Sequence, residues 1–547
     1  MSAATPPRSE TLRARGVGLT VPQRRLLHPS SLEVSTGELV ALIGPSGTGK
    51  TTLLRALAGV SEPTEGDVVL GEDRLSERSS DVGYLPVGQT VHERLTVREA
   101  LDYAAALRLP ASLPAEELAS RTEEVLAELR LTDRADTRIG SLSGGESKRA
   151  AVAVELIGRP AMLLLDEPAT GLDPGLERRL MAILRRVADQ GRGVVVVTHA
   201  TSSLALCDTV AVMGHGGRLA FTGSPDGVLE HFGVDAFDEI YTALEQEADG
   251  EAELEPAPSG APPLLARRAP RLRPPPSGSF GRQFGLLAGR YARLFLRDGR
   301  TLWILLVQAI IIAICIGVVL PRNVLGQSSL ASFYAVLLSF LLITGSVWLG
   351  VTSASREIVK ERAIVEREAA AGVRLAAYLA AKVTVLFALA VVQVALLVLV
   401  TIILQPLHQS PATYLTVLGL CVLAAWASVA MGLTVSAFAR SPDQASSAVP
   451  LLLIPQLLFA GAIIPTAVMP PPIQVLSDLT FARWALAGFG HAMGLQSNLS
   501  DETSSVAGYQ RSFFALPPAA AAVAMVLFVL IALFMAARAL ERRSAAA

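Results

Sequence analysis

The chain has 547 residues, 51% of them hydrophobic, and a formal net charge of −2. That length exceeds what one core holds and implies two or three domains, and the near-neutral balance excludes a global pull toward nucleic acid. Three scattered cysteines, Cys207, Cys315 and Cys421, form neither a disulfide framework nor a zinc spacing. The N-terminus has no apolar stretch of signal-peptide length, so the first domain is expected to stay in the cytoplasm.

In chain order, residues 38–43 read as a buried strand running into Gly44, Pro45, Ser46, Gly47, Thr48, Gly49, Lys50 and Thr51, with a helix continuing from Thr52. This matches the G-x-x-x-x-G-K-[ST] phosphate loop in its strand–loop–helix context. The glycines let backbone N–H groups wrap phosphates, Lys50 is expected to reach the β- and γ-phosphates, and the Thr51 hydroxyl to ligate Mg²⁺. The alternative is a Gly-rich turn of an unrelated α/β protein. Next, Leu142-Ser143-Gly144-Gly145-Glu146 offers a bare backbone and a helix N-terminus to a group with several negative charges.

A second apolar strand over 161–165 ends in Asp166-Glu167, which suits metal-dependent phosphoryl chemistry. Asp166 is expected in the magnesium shell and Glu167 to polarise the attacking water. Two carboxylates capping a helix would be the plain structural reading, but it leaves Pro168 and the apolar strand without a role. Gly171-Leu172-Asp173, a helix and the strand over 194–197 follow, and that strand delivers Thr198-His199 toward the γ-phosphate position.

As an ordered set these motifs resemble the nucleotide-binding domain of ABC transporters over about residues 11–235. By that resemblance Gly44 to Thr51 is Walker A, Leu142 to Glu146 the signature, Met162 to Glu167 Walker B, Gly171 to Asp173 the D-loop and His199 the switch histidine. It implies ATP and Mg²⁺ as cofactors. Lys50, Glu167 and His199 would be catalytic, and Thr51 and Asp166 would hold the metal. Residues Gly44 to Thr52, together with Ser143, Gly144, Gly145 and Asp173, would hold the nucleotide. The segments 95–101 and 216–223 look like those of the G (White/pigment) subfamily. Two positions depart from the pattern. Val87 stands where the family places a glutamine directly after Tyr84-Leu85-Pro86, and the nearest glutamine is Gln89. Either Gln89 substitutes through a shifted loop or the contact is missing; the unchanged spacing to Leu95 favours the second. No aromatic residue precedes Gly44, so stacking on adenine is not expected.

Residues 236–279 read as a flexible linker, acidic first and then Pro/Arg-rich with Arg267, Arg268, Arg271 and Arg273. The basic strip could instead meet anionic headgroups. From 280 to 300, arginines alternate with Phe284, Leu287, Tyr291, Leu294 and Phe295, the pattern of an interfacial amphipathic helix. The membrane domain over 301–541 then shows six apolar runs of spanning length, at about 302–320, 330–353, 383–404, 412–437, 445–464 and 517–537. The fifth carries Pro450 and Pro455 and is expected to kink.

Basic residues cluster between the second and third runs (Arg356, Lys360, Arg362, Arg367, Arg374, Lys382), whereas the loop after the first run holds only Arg322. Both termini are therefore expected on the cytoplasmic side of a multi-pass plasma-membrane (cell inner membrane) protein. The runs contain no Asp, Glu, Lys or Arg, which favours ATP over an ion gradient as the driving force.

The fold class read from the sequence is an α/β P-loop NTPase, the ABC nucleotide-binding domain, fused to an all-α polytopic membrane domain of six transmembrane helices. The function it implies is an ATP-driven exporter of a hydrophobic or amphipathic small molecule or lipid. The expected partners are membrane lipid and a second copy, or another half-transporter, with ATP sandwiched between Walker A of one subunit and the signature of the other. The alternative is an ATP-driven transmembrane signalling or mechanical device that moves no cargo; the short outer loops argue against it.

Overall fold

The structure is a computed structural model that describes residues 10–21, 24–88, 90–250, 279–321, 331–499 and 508–546. Gln89, Arg322, the basic strip of the linker and the rest of 251–278 lie outside the described residues. The chain divides into two compact units, one of residues 1–286 with 363–374 and 544–547, the other of residues 287–362 with 375–543.

The first unit is built on two sheets. Strands β1 (Thr11–Val21), β2 (Arg24–Ser35), β4 (Glu65–Leu70) and β5 (Asp73–Arg74) form an antiparallel sheet in the order β2-β1-β4-β5. The larger sheet contains β3 (Leu39–Ile43), β6 (Val82–Leu85), β7 (Met162–Asp166), β8 (Gly193–Val197), β9 (Thr209–Gly214) and β10 (Arg218–Gly223), in the order β10-β9-β3-β8-β7-β6. Every pairing from β6 to β9 is parallel, and β10 closes the edge antiparallel to β9.

A parallel sheet covered on both faces needs strands that are apolar throughout rather than alternating. β3 (LVALI) and β8 (GVVVV) meet that need, with every residue buried. The four valines of β8 are fully buried, and each contributes about 2 kcal/mol of apolar transfer. The helices are α1 (Lys50–Leu57), α2 (Val97–Arg108), α3 (Ala115–Glu128), α4 (Gly144–Leu156), α5 (Pro174–Asp189), α6 (Pro225–Phe232) and α7 (Glu239–Gly250).

Helix α7 occupies part of the segment expected to be a flexible tether. Its eight-acid neighbourhood hides a pair of apolar residues four apart, Ile240 and Leu244, which share one helix face and are 0% and 2% exposed. That pair is enough to dock the helix, and Leu244 lies beside the backbone at Gly214.

The described helices that follow are α8 (Phe280–Arg297), α9 (Gly299–Val319), α10 (Ala331–Ala354), α11 (Arg362–Ala370), α12 (Leu375–Leu404), α13 (Pro411–Phe438) and α14 (Pro442–Leu458). They are followed by α15 (Pro471–Asp478), α16 (Phe481–Ala492), α17 (Leu495–Asn498) and α18 (Pro518–Ala546). Five, α9, α10, α12, α13 and α18, are long and apolar enough to cross a bilayer. The run expected at 445–464 forms α14, which has 17 residues, holds Pro450 and Pro455 inside it, and stops at Leu458. α12 begins at Leu375, eight residues before the expected run, and carries a buried Lys382 whose ammonium pairs with Glu361 at 2.7 Å.

Small residues bring helices of the second unit together. A Cβ on Gly350 of α10 would run into the Ala425 carbonyl of α13, and the Ser428 hydroxyl donates to the Val347 carbonyl at 2.5 Å. Close backbone approach of this kind is how helices associate in lipid, where apolar burial gives little drive. Gln393 and Gln405 of α12 each donate to a carbonyl of α9, Leu305 and Gly317, at 3.0 Å.

Candidate functional site

The site forms where three neighbouring strands end. β3, β8 and β7 are adjacent and parallel, so their C-terminal ends open on one edge, the place where open α/β sheets bind ligands. β3 leads into the loop of Gly44 to Thr51, β7 delivers Asp166 and Glu167, and β8 delivers Thr198 and His199.

The loop's path demands glycine at its first position. Gly44 has φ 143°, and any Cβ there would run into the Met213 carbonyl of β9. Gly49, at φ 89°, caps the start of α1 in the left-handed region that side chains avoid. Inside the loop the Lys50 ammonium donates to the Gly44 carbonyl at 2.8 Å and the Pro45 carbonyl at 2.7 Å, and Thr48 donates to Pro45 as well. Ser46 and Gly47 are exposed. Burial lowers the Lys50 pKa, partly offset by the carboxylates of Glu167 and Asp166.

The Thr51 hydroxyl donates to Asp166 Oδ1 at 3.2 Å. Asp166 is 1% exposed, burial raises its pKa, and its Oδ2 has no hydrogen-bond partner. A buried carboxylate oxygen without a donor is costly and fits a hard cation that takes oxygen ligands. No group of three or more His, Cys, Asp or Glu is arranged as a metal cage among the described residues. Magnesium characteristically takes one or two protein oxygens and completes its shell with water and phosphate, so Thr51 and Asp166 fit it.

Glu167 follows at φ 49°, a conformation uncommon outside glycine, which turns its side chain out of the strand. Its Oε1 lies 3.2 Å from His199 Nε2, and its Oε2 accepts from the Thr170 hydroxyl at 2.9 Å. Lys50, Thr51, Asp166, Glu167 and His199 are thus brought together as their order in the chain implies.

Ser143, Gly144 and Gly145 belong to a separate cluster. Ser143 caps α4 in a capping box: its N–H and its hydroxyl both donate to Glu146 Oε2, at 2.9 and 2.8 Å. Arg134 donates to the other Glu146 oxygen, and the Ser143 bonds, first among these causes, hold the Glu146 carboxyl at about 2. Gly144 and Gly145 are limited by Leu172 and Leu176, where a Cβ would be tight. Asp173 caps α5, accepting from the Gly175 and Leu176 N–H groups at 2.9 and 3.0 Å, so its Oδ1 is committed to the helix start. Thr52 is half-buried in the first turn of α1.

The loop after β6 presents Val87 with 49% of its surface exposed, followed by Gly88 at φ 103°. The far end of α4 carries a residue the sequence reading overlooked. Glu155, 2% exposed, takes a two-pronged ion pair from Arg108 of α2, both bonds at 2.9 Å, and lies 3.5 Å from Arg367 Nε within the same unit. A buried acid at the end of an apolar helix was the available signal.

Two family models match the chain, ABC transporter over residues 27–170 and ABC-2 type transporter over residues 282–493. The lipopolysaccharide export system ATP-binding protein LptB of Escherichia coli K12 is 32% identical over 227 residues, 40% of this chain and 93% of LptB. This chain belongs to the ABC transporter family. Its ATP-binding domain precedes its membrane domain, the order that the G-type resemblance implied. The ABC transporter ATP-binding/permease protein Rv1747 of Mycobacterium tuberculosis is 36% identical over 500 residues, 87% of this chain and 57% of Rv1747. The broad substrate specificity ATP-binding cassette transporter ABCG2 of Bos taurus is 38% identical over 209 residues, 36% of this chain and 32% of ABCG2. The chain therefore spans little more than half of Rv1747 and about a third of ABCG2.

Proposed function

We propose that this ABC transporter chain is a half-transporter that hydrolyses ATP to export a hydrophobic or amphipathic compound across the plasma membrane, working as a dimer. The observation that carries the reading is the convergence of Lys50, Thr51, Asp166, Glu167 and His199 at one sheet edge, in a chain whose later half matches a membrane-transporter model. The membrane helices expose apolar side chains such as Trp303, Val318, Leu415 and Leu451, which suits contact with lipid.

Each side chain has a task its surroundings allow. The loop's own carbonyls hold Lys50 in place, and the ammonium would exchange them for phosphate oxygens, trading one charge-assisted hydrogen bond for a stronger one. Thr51 and Asp166 would hold Mg²⁺, which would neutralise phosphate charge when bound. Glu167 is the base that orients and polarises the attacking water, and His199, 3.2 Å away, keeps its carboxylate aimed. The Ser143 hydroxyl and the N-terminus of α4 would meet the phosphates of the nucleotide bound by the partner subunit, favoured by the positive end of the helix. Both Glu167 and His199 are present, which supports two equivalent sites in a homodimer; pairing with a different half-transporter is the variant of this reading that Val87 encourages.

The experiment is ATP turnover by the full chain in lipid, wild type against Glu167→Gln, combined with a comparison of lipids and metabolites retained by deletion and Glu167→Gln strains. Turnover that Glu167→Gln leaves intact would refute the base assignment. Identical lipid and metabolite profiles in all strains would refute export.

A further inference from the structure

Helix α7 brings an aromatic side chain to the ATP site that none of the motifs contains. Ile240 and Leu244 anchor the helix in the core of the first unit, and Tyr241 lies between them on the adjoining face. The Tyr241 ring is tilted 34° to the His199 ring, with centroids 6.5 Å apart, within the range of favourable aromatic contact. Its hydroxyl is buried against the backbone N–H of Gly44 but makes no hydrogen bond of good geometry. Tyr241 therefore touches two motifs at once: the first glycine of the phosphate loop, and the histidine that sits 3.2 Å from Glu167.

His199 needs such a neighbour. It stands just beyond the end of β8, with 42% of its side chain exposed, and the hydrogen bond to Glu167 is the contact that fixes its ring. An imidazole held at one nitrogen can still swing, and misplacement by about 1 Å costs on the order of a hundredfold in rate. A ring packed against it removes that freedom.

We propose that Tyr241 is a positioning residue for ATP hydrolysis, its ring holding His199 in register with Glu167 and so tying α7 to the catalytic site. This rests on the ATP-hydrolysing function proposed above. The ring is the working part. A buried hydroxyl without a well-formed partner contributes little and costs its desolvation, so Tyr241→Phe is expected to keep function and to melt no lower than wild type.

The test uses the full chain reconstituted in lipid, with single-turnover hydrolysis of radiolabelled ATP, equilibrium ATP binding and thermal melting. Tyr241→Ala should lower the hydrolysis rate about tenfold while ATP affinity stays within about twofold. Tyr241→Phe should hold both within about twofold. In a His199→Ala background, Tyr241→Ala should add less than about a twofold further loss, because its effect passes through the histidine. An unaffected Tyr241→Ala would overturn the proposal, as would a tenfold further loss without His199. A loss of affinity and of melting temperature parallel to the loss of rate, or a Tyr241→Phe as damaged as Tyr241→Ala, would overturn it too, by showing a purely structural role or an essential hydroxyl. A wild-type chain without turnover would remove the ATPase reading and this proposal with it, whereas a hydrolysing wild type with a silent Tyr241→Ala sinks the proposal alone.

Discussion

The two phosphate-facing regions of the ATP-binding domain satisfy their polar groups in opposite ways. At the strand ends, the Asp166 carboxylate keeps an unpaired buried oxygen, Glu167 takes a left-handed backbone angle, and Lys50 leans on the carbonyls of its own loop. At the start of α4, Ser143 and Glu146 close a complete ring of hydrogen bonds on an exposed surface. The strand-end region is organised around something still to be bound. The signature region is finished as a piece of protein and offers its helix end outward. A site built from one of each, supplied by different subunits, needs no rearrangement inside either to bring them together.

The comparison can be broken most severely at Glu167. Glu167→Gln removes the base and leaves the loop intact, so turnover should fall about a hundredfold while ATP affinity is retained, read by steady-state hydrolysis and nucleotide binding. If affinity falls with turnover, the strand-end region is holding the nucleotide rather than acting on it. Next, Ser46→Cys with Ser143→Cys, in a Cys315→Ser background, should yield a covalent dimer on oxidation in the presence of ATP, because both positions are exposed and Cys207 and Cys421 are buried. A crosslink closing within one chain would show both regions facing the same nucleotide.

Ser143→Ala should cost about 1 kcal/mol of stability through the lost cap, measured by denaturant unfolding of the solubilised chain. Acid probes the same ring. The Glu146 pKa falls from 4.5 to about 2 in the folded protein, so its contribution is complete above about pH 4.5 and is lost as pH falls toward 2. Melting temperature should therefore drop through that window more steeply in wild type than in Glu146→Gln. The smallest effect is expected at Val87. Val87→Gln should raise ATP turnover by no more than about twofold, since Glu155 already links the signature helix to Arg108 and Arg367. A large gain would place the missing contact at Val87 after all.

Much of the strand-end region was legible because each of its parts is local. A glycine loop following a strand, and carboxylates closing an apolar run, carry their chemistry in consecutive residues, and a parallel sheet then fixes where they meet. What escaped notice depends on contacts made at a distance. Ile240 and Leu244 are only two apolar residues in an acidic stretch, too few to outweigh the composition around them, yet both are buried and they order a helix. Glu155 looks like one more acid on a helix until Arg108 and Arg367 arrive from other parts of the chain. The fifth apolar run has spanning length on paper, but it ends at Leu458 because Gly461 turns the backbone at φ 91°.

The prolines of that helix have a mechanical consequence. Pro450 and Pro455 supply no N–H, so the carbonyls of Ser446 and Leu451 lose their in-helix donors, and two successive turns of α14 are held by fewer bonds than any turn of α12 or α13. In lipid such carbonyls are free to trade partners with neighbouring helices or with passing water. Bending stiffness along the membrane half is therefore uneven. α14 is its most compliant member, able to change curvature at little cost while the tightly packed α10 and α13 keep their shape.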